Sequence, residues 1–117
     1  MTSEPVRLLR GTVDVMIVKA LSWGPLHGYA ISQWIAATTD DAFSIQEGAL
    51  YPALRRLEEK GLLESRWSVT DTGREARFYR LTAAGRQWLQ REVRVWARYV
   101  EAMSRVLSSI SPRVEGA

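Results

Sequence analysis

The sequence predicts a mainly α-helical chain with one small β-hairpin, in the order helix, helix, helix, hairpin, long helix. Three observations predict it. Apolar residues recur at helical spacing in three stretches before Gly61. After Gly61 the period shortens, and "LLESRWSV" and "ARFYRLT" flank the polar stretch "TDTGRE". From Thr82 a helical pattern resumes and runs to about Ser108. With 117 residues and 46% hydrophobic content, the chain suits a small globular unit with a sufficient but not generous core.

Thr12 is the expected N-cap of the first helix, after Gly11. Val13, Met16, Ile17, Ala20 and Leu21 follow helical spacing, and Val15 and Val18 make the other side apolar. A helix apolar on most sides is buried on most sides, which points to a second chain covering it. Gly24 and Pro25 stop it. A second helix is expected over Leu26 to Ala37, with Ile31, Trp34 and Ile35 inward and His27 near its cap. Tyr29 then lies over the core or reaches a phosphate. "SIQE", Ser44 to Glu47, matches a capping box. The third helix is expected from about Ile45 to Lys60, with Gly61 as the residue that ends it. Leu50, Leu54 and Leu57 share its inner face, so Tyr51, Pro52, Arg55 and Arg56 fall on others. Pro52 costs least if it sits near the first turn.

In the last helix Leu89, Val93, Trp96, Val100, Met103 and Leu107 follow steps of four and three, the seam of a heptad. Trp88, Val95, Tyr99 and Val106 widen that stripe. Of the five tryptophans, Trp23, Trp34 and Trp67 are expected to fill the core. The division that follows is residues 1–81 as one folded unit, 82–108 as a dimerisation helix, and 109–117 as a tail expected to be disordered.

Composition removes several function classes. There is no cysteine, hence no thiolate metal site and no thiol nucleophile. His27 is the one histidine, and no carboxylates cluster beside it, so neither a metal site nor a general acid–base pair is expected. No cofactor and no enzyme activity are expected. No apolar run reaches the roughly 18–20 residues that span a bilayer, and the start lacks a signal-peptide core, so the expectation is cytoplasmic. The formal charge of +3, with 16 Lys+Arg against 13 Asp+Glu, permits an anionic partner without demanding one.

The order of elements is that of a winged helix-turn-helix with an added C-terminal helix. In that motif the helix after the turn lies in the DNA major groove and the hairpin reaches the backbone or minor groove. The expected DNA-contacting residues are Ser44, Gln46, Gly48, Tyr51, Pro52, Arg55 and Arg56 from the third helix region, Arg74 and Arg77 from the hairpin, and Tyr29. The plainer reading of Arg55 and Arg56 is a solvated face paired with Glu58 and Glu59. A different class of function is a protein-docking winged helix whose long helix pairs with another protein.

"RGTVDVMIVKALSWGPLHGYAI", "EGALYPALRRLEEKGLLES" and "RFYRLTAAGRQWL" together resemble the PadR family of bacterial transcriptional regulators, over roughly Arg10 to Leu89. The resemblance implies a homodimeric repressor built on a winged helix and joined through the C-terminal helix. It implies double-stranded DNA with an inverted repeat as the partner. This chain is similar to the short class, which has a single C-terminal helix. In several short members the dimer interface also receives small molecules. The wing departs from the common family pattern: Glu75 stands between Arg74 and Arg77, where relatives often carry further basic residues. Gly48 stands where many members carry a larger side chain. The expected dimer interface comprises Leu89, Val93, Trp96, Val100, Met103, Leu107, Val13 and Ile17. A pocket for a flat aromatic effector is expected around Trp88, Val95, Trp96, Tyr99 and Val15; a plain aromatic dimer contact explains the same residues.

Overall fold

The computed structural model describes residues 11–111. The elements are α1 (Thr12–Ala20), a short 3₁₀ turn (Leu21–Trp23), β1 (Leu26–His27), α2 (Gly28–Thr38), α3 (Glu47–Glu59), β2 (Leu63–Val69), β3 (Glu75–Leu81) and α4 (Ala83–Leu107). The expected order holds, with one addition. The two-residue β1 pairs antiparallel with β3, Leu26 against Tyr79 and His27 against Phe78, which makes a three-stranded sheet in the order β1-β3-β2. Two residues are too few to show a period in the sequence.

The pairing of β1 delays α2 by two residues. His27 becomes its N-cap, with the ring Nδ1 accepting from the Ala30 N–H at 3.3 Å. Thr12 is not a cap: it is buried as the first residue of α1, and Gly11 precedes it in the left-handed region at φ 86°. Nor does the Ser44 capping box form. α3 starts at Glu47, after Gln46, and no side chain caps it. Ile45 is the reason: it is buried in the core, and that anchors the segment before the helix. The Gln46 carbonyl instead accepts from the N–H groups of Ala49 and Leu50, at 3.0 and 2.9 Å.

With this start Pro52 lies in the second turn of α3. The helix tolerates it because the missing N–H would have met the Gly48 carbonyl. Gly48 and Pro52 are both exposed, so water can supply that donor. The far end closes as a Schellman turn. Leu62 N–H donates to the Leu57 carbonyl and Gly61 N–H to that of Glu58, each at 3.0 Å, with Gly61 at φ 76°.

The core gathers Ile17, Val18 and Leu21 with Ile31 and Ile35 of α2, Leu50, Leu54 and Leu57 of α3, Leu63 and Leu81 of the sheet, and Leu89 of α4. Ile17 was expected at a dimer surface; it is instead 0% exposed within one chain, because α1 runs through the middle of the helical layer. Trp23 and Trp67, expected inside, are 69% and 66% exposed. Trp23 sits in the turn beyond α1, with the Lys19 ammonium 4.6 Å from its ring centre and the half-buried Trp34 at 5.5 Å.

The root of α4 is tied to the exit of α3. Thr82 N–H donates to the Leu62 carbonyl at 3.1 Å, and its hydroxyl donates to the Gly61 carbonyl at 2.7 Å. The same hydroxyl accepts from Gly85 N–H at 3.0 Å, capping α4. Gly85 and Leu89 are buried, while every residue from Ala97 to Leu107 is exposed. Of the expected tail, residues 112–117 lie outside the described residues.

Candidate nucleic-acid interface

α3 turns Leu50, Ala53, Leu54 and Leu57 inward. Burial of these side chains fixes its rotation, so Gly48, Tyr51, Pro52 and Arg55 face outward. Ser44 and Gln46 are exposed just before it. Tyr51 leans across to the start of α2, where its hydroxyl lies so close that a Cβ on Gly28 would meet it at 2.9 Å. Tyr29, 64% exposed, stands next to that contact, and its hydroxyl accepts from Gln33 Nε2 at 3.0 Å. The wing closes over residues 70–74. Thr70 N–H donates to the Arg74 carbonyl at 2.8 Å, Gly73 N–H donates to the Thr70 carbonyl at 2.9 Å, and Gly73 supplies the positive φ. Between α2, α3 and the wing lies a cleft of about 970 Å³ that brings together Tyr29, Gln33, Tyr51, Trp67, Arg74 and Arg77.

The four arginines of this region differ in their engagements. Among the described residues, neither Arg55 nor Arg74 forms an ion pair. Arg56 pairs with Asp14 of α1, rather than with Glu58 or Glu59. Its guanidinium therefore reaches across to α1, on a different face of α3 from the one that Arg55 shares with Tyr51, with the side chain still 49% exposed. Arg77 donates through Nε to the Ser65 hydroxyl at 2.8 Å and lies 3.6 Å from the Glu58 carboxylate. Ser65 in turn donates to Glu58 at 2.7 Å. This linkage braces the wing against α3. Beneath it, burial raises the Tyr79 hydroxyl above its ordinary value; Glu58 and Tyr51 push the same way, and Arg77 and Arg55 oppose.

A second, apolar groove of about 740 Å³ lies on the other side of α1. Val15, Met16, Trp34, Phe43, Val93 and Trp96 line it, with Leu89 at its base. Val93, Val100, Met103 and Leu107 remain exposed along α4, whereas Leu89 is enclosed and Val13 packs against the core. The residues expected to form an effector pocket are not brought together in one chain. Val15 and Trp96 line the apolar groove. Val95 and Tyr99 lie on another face of α4, among Arg91, Arg94 and Arg98. Trp88 packs against the core. Eight residues advance a helix by about 80° past two full turns, so Trp88 and Trp96 diverge. Trp96 and Tyr99 do keep a tilted ring contact at 5.8 Å.

Among the described residues, no group of three or more His, Cys, Asp or Glu could hold a metal ion, and no helix is long and apolar enough to cross a membrane. A family model described as the transcriptional regulator PadR-like family matches residues 17–91. The chain belongs to the PadR-like family. Its members here are transcriptional regulators, which are not enzymes. It is 36% identical over 85 residues to a transcriptional regulator of Mycobacterium tuberculosis, covering 73% of this chain and 76% of that one. It is 30% identical over 73 residues to the negative transcriptional regulator PadR of Bacillus subtilis, covering 62% of this chain and 40% of that one. The fold superimposes on a transcriptional regulator from Clostridium thermocellum with a TM-score of 0.74 at 31% identity, covering 82% and 93% of the two chains. In fold it also superimposes on Bacillus subtilis PadR in complex with operator DNA, with a TM-score of 0.61 at 24% identity, covering 92% and 52% of the two chains. The PadR-like match spans both the cleft and the root of α4. It ends before the exposed half of that helix.

Sequence reasoning missed two parts of this site. Gln33 on α2 and Trp67 on the wing line the cleft, and neither was expected there. Strand alternation from the buried Leu63 places Trp67 on the helix-facing side of β2, where the space between strand and helices is open cleft.

Proposed function

We propose that this chain is a sequence-specific DNA-binding repressor that acts as a homodimer, reads an inverted repeat and is released by a small molecule. The observation that carries the DNA-binding part is the cleft itself: Tyr29, Tyr51 and Arg74, from three elements, surround one open space beside the outward face of α3. Arg55 and Arg74 keep their guanidinium donors for an outside partner. Arg55 suits a bidentate guanine contact and Arg74 a phosphate. Arg56 and Arg77 serve as braces in this reading, since Asp14 and Glu58 already hold them.

Dimerisation is supported by the apolar residues that one chain leaves uncovered on α4, namely Val93, Val100, Met103 and Leu107. The open groove beside Val15 and Met16 continues the same surface. A two-fold pair of chains places two recognition helices on one side of a duplex, with half-site centres ~10 bp apart or a multiple of that. A flat aromatic compound that reaches Trp96 from this groove would bias the spacing of those helices.

The deciding experiment is a gel shift with the DNA upstream of the protein's own gene and with an unrelated duplex, each at several salt concentrations. The expected result is tighter binding upstream, a steep salt dependence and a symmetric footprint. Arg74→Ala should reduce the salt slope by about one unit. Absence of DNA binding, or binding indifferent to salt, refutes the proposal and favours the protein-docking alternative.

A further inference from the structure

Alternation along β2 sets Leu63, Ser65, Trp67 and Val69 on one side of the sheet. Ser65 meets Glu58 of α3, so this is the side that faces the helices. Beyond Ser65 this side of the strand opens onto the cleft between α2, α3 and the wing. Trp67 and Val69 are consequently 66% and 60% exposed. Across the ladder Trp67 sits opposite Arg77, and both line the cleft with Tyr29, Tyr51 and Arg74. Among the described residues the indole has no aromatic ring partner, unlike Trp23, Trp34 and Trp96. A large apolar side chain therefore remains in water, in the cleft that also holds Arg74, which forms no ion pair among the described residues.

We infer that Trp67 is a DNA-contacting residue of the wing. Its occupant is the sugar–phosphate edge of one strand. The bases of a duplex are stacked on one another, so a wing that does not unstack them meets deoxyribose as the apolar surface within reach. The indole face packs on that sugar, and its Nε1–H donates to a neighbouring phosphate oxygen. Arg74 beside it supplies the charge. The contact adds affinity through burial rather than through counterion release. The inference rests on the DNA-binding reading given above.

The test compares wild type, Trp67→Phe and Trp67→Ala by gel shift on the upstream duplex across a salt series, alongside thermal melts. Trp67→Ala should weaken binding roughly ten-fold at every salt concentration, because a fully buried large apolar side chain is worth that much or more. The salt slope and the melting temperature should be unchanged. Trp67→Phe should recover part of the affinity, and it should lose part of the tryptophan emission change that wild type shows on binding DNA. Wild-type affinity in Trp67→Ala overturns the inference, as does weaker binding that tracks a lower melting temperature. A wild-type protein that binds no duplex overturns the DNA-binding reading itself, and the role of Trp67 with it.

Discussion

Gly85→Ala should destabilise this protein, although alanine is the better helix former. Gly85 is the third residue of α4 and lies directly against the chain leaving α3. A Cβ there would meet the Leu62 carbonyl oxygen at 2.2 Å, where real Cβ contacts stay beyond 3.0 Å. One backbone must therefore retreat by about 0.8 Å, the difference between those two distances. Leu62 cannot retreat alone. Its carbonyl accepts from Thr82 N–H at 3.1 Å and its own N–H donates to Leu57. Opening the gap stretches the Thr82 bond out of range, at ~0.5–1.5 kcal/mol, and disturbs the Thr82 cap, at ~1 kcal/mol. Overpacking adds ~1–3 kcal/mol, and the gain in helix propensity returns ~1 kcal/mol. The net is a loss of ~1.5–4.5 kcal/mol, which for a domain of this size lowers the melting temperature by on the order of 5–25 °C. Circular dichroism melts at fixed protein concentration measure it. Gly48→Ala is the control: nothing lies within 4 Å of the added Cβ, so a small rise is expected. A melting temperature for Gly85→Ala equal to or above wild type would refute the reasoning.

Arg55→Ala should relax base preference at one position of each half-site and cost ~1–3 kcal/mol of binding, whereas Arg56→Ala should leave the base preference intact and cost up to ~1 kcal/mol of stability; binding to mutated sites and parallel melts separate the two. Val93→Glu combined with Val100→Glu should give monomers by light scattering, and an intact dimer would place the interface elsewhere. The Tyr79 hydroxyl is raised above its ordinary value of 10.0 by burial, so the stability it contributes is complete below that value and is lost as pH rises through the folded one. Alkaline unfolding should therefore move to higher pH in Tyr79→Phe, and an unmoved transition counts against a buried, neutral hydroxyl.

The inner faces of the helices were legible because burial selects residues at helical spacing. Leu50, Leu54 and Leu57 are on α3's inner side, as expected, and Gly61 ends it in the left-handed conformation. The starts were less legible, because each was decided by a tertiary contact. Ile45 is claimed by the core and overrides the Ser44 capping signal. Leu26 and His27 are claimed by β3 and shorten α2. The tryptophans misled for a related reason: hydrophobicity says that an indole gains from burial, but not that a neighbour exists to bury it. Trp23 lies past the end of α1, and Trp67 faces the open cleft beside α3. The arginines could not be sorted from sequence at all. Arg55 and Arg56 are adjacent, yet about 100° of helical rotation gives one to solvent and the other to Asp14.

That rotation also gives α1 a particular position. One side of α1 packs on α3 and carries Asp14, which holds Arg56 of that helix. The other side carries Val15 and Met16, which form a wall of the apolar groove opposite Trp96. A molecule or a partner helix that fills this groove therefore presses on the element against which α3 is seated. Interiors at native packing density do not absorb such a displacement locally. α1 is joined to α3 by the Asp14–Arg56 pair as well as by packing. Glu58, Ser65 and Arg77 in turn brace the wing to the same helix. Groove and cleft are thus linked through α1 and α3, and a ligand in the groove would act on the cleft only to the extent that it bound a displaced arrangement more tightly than this one.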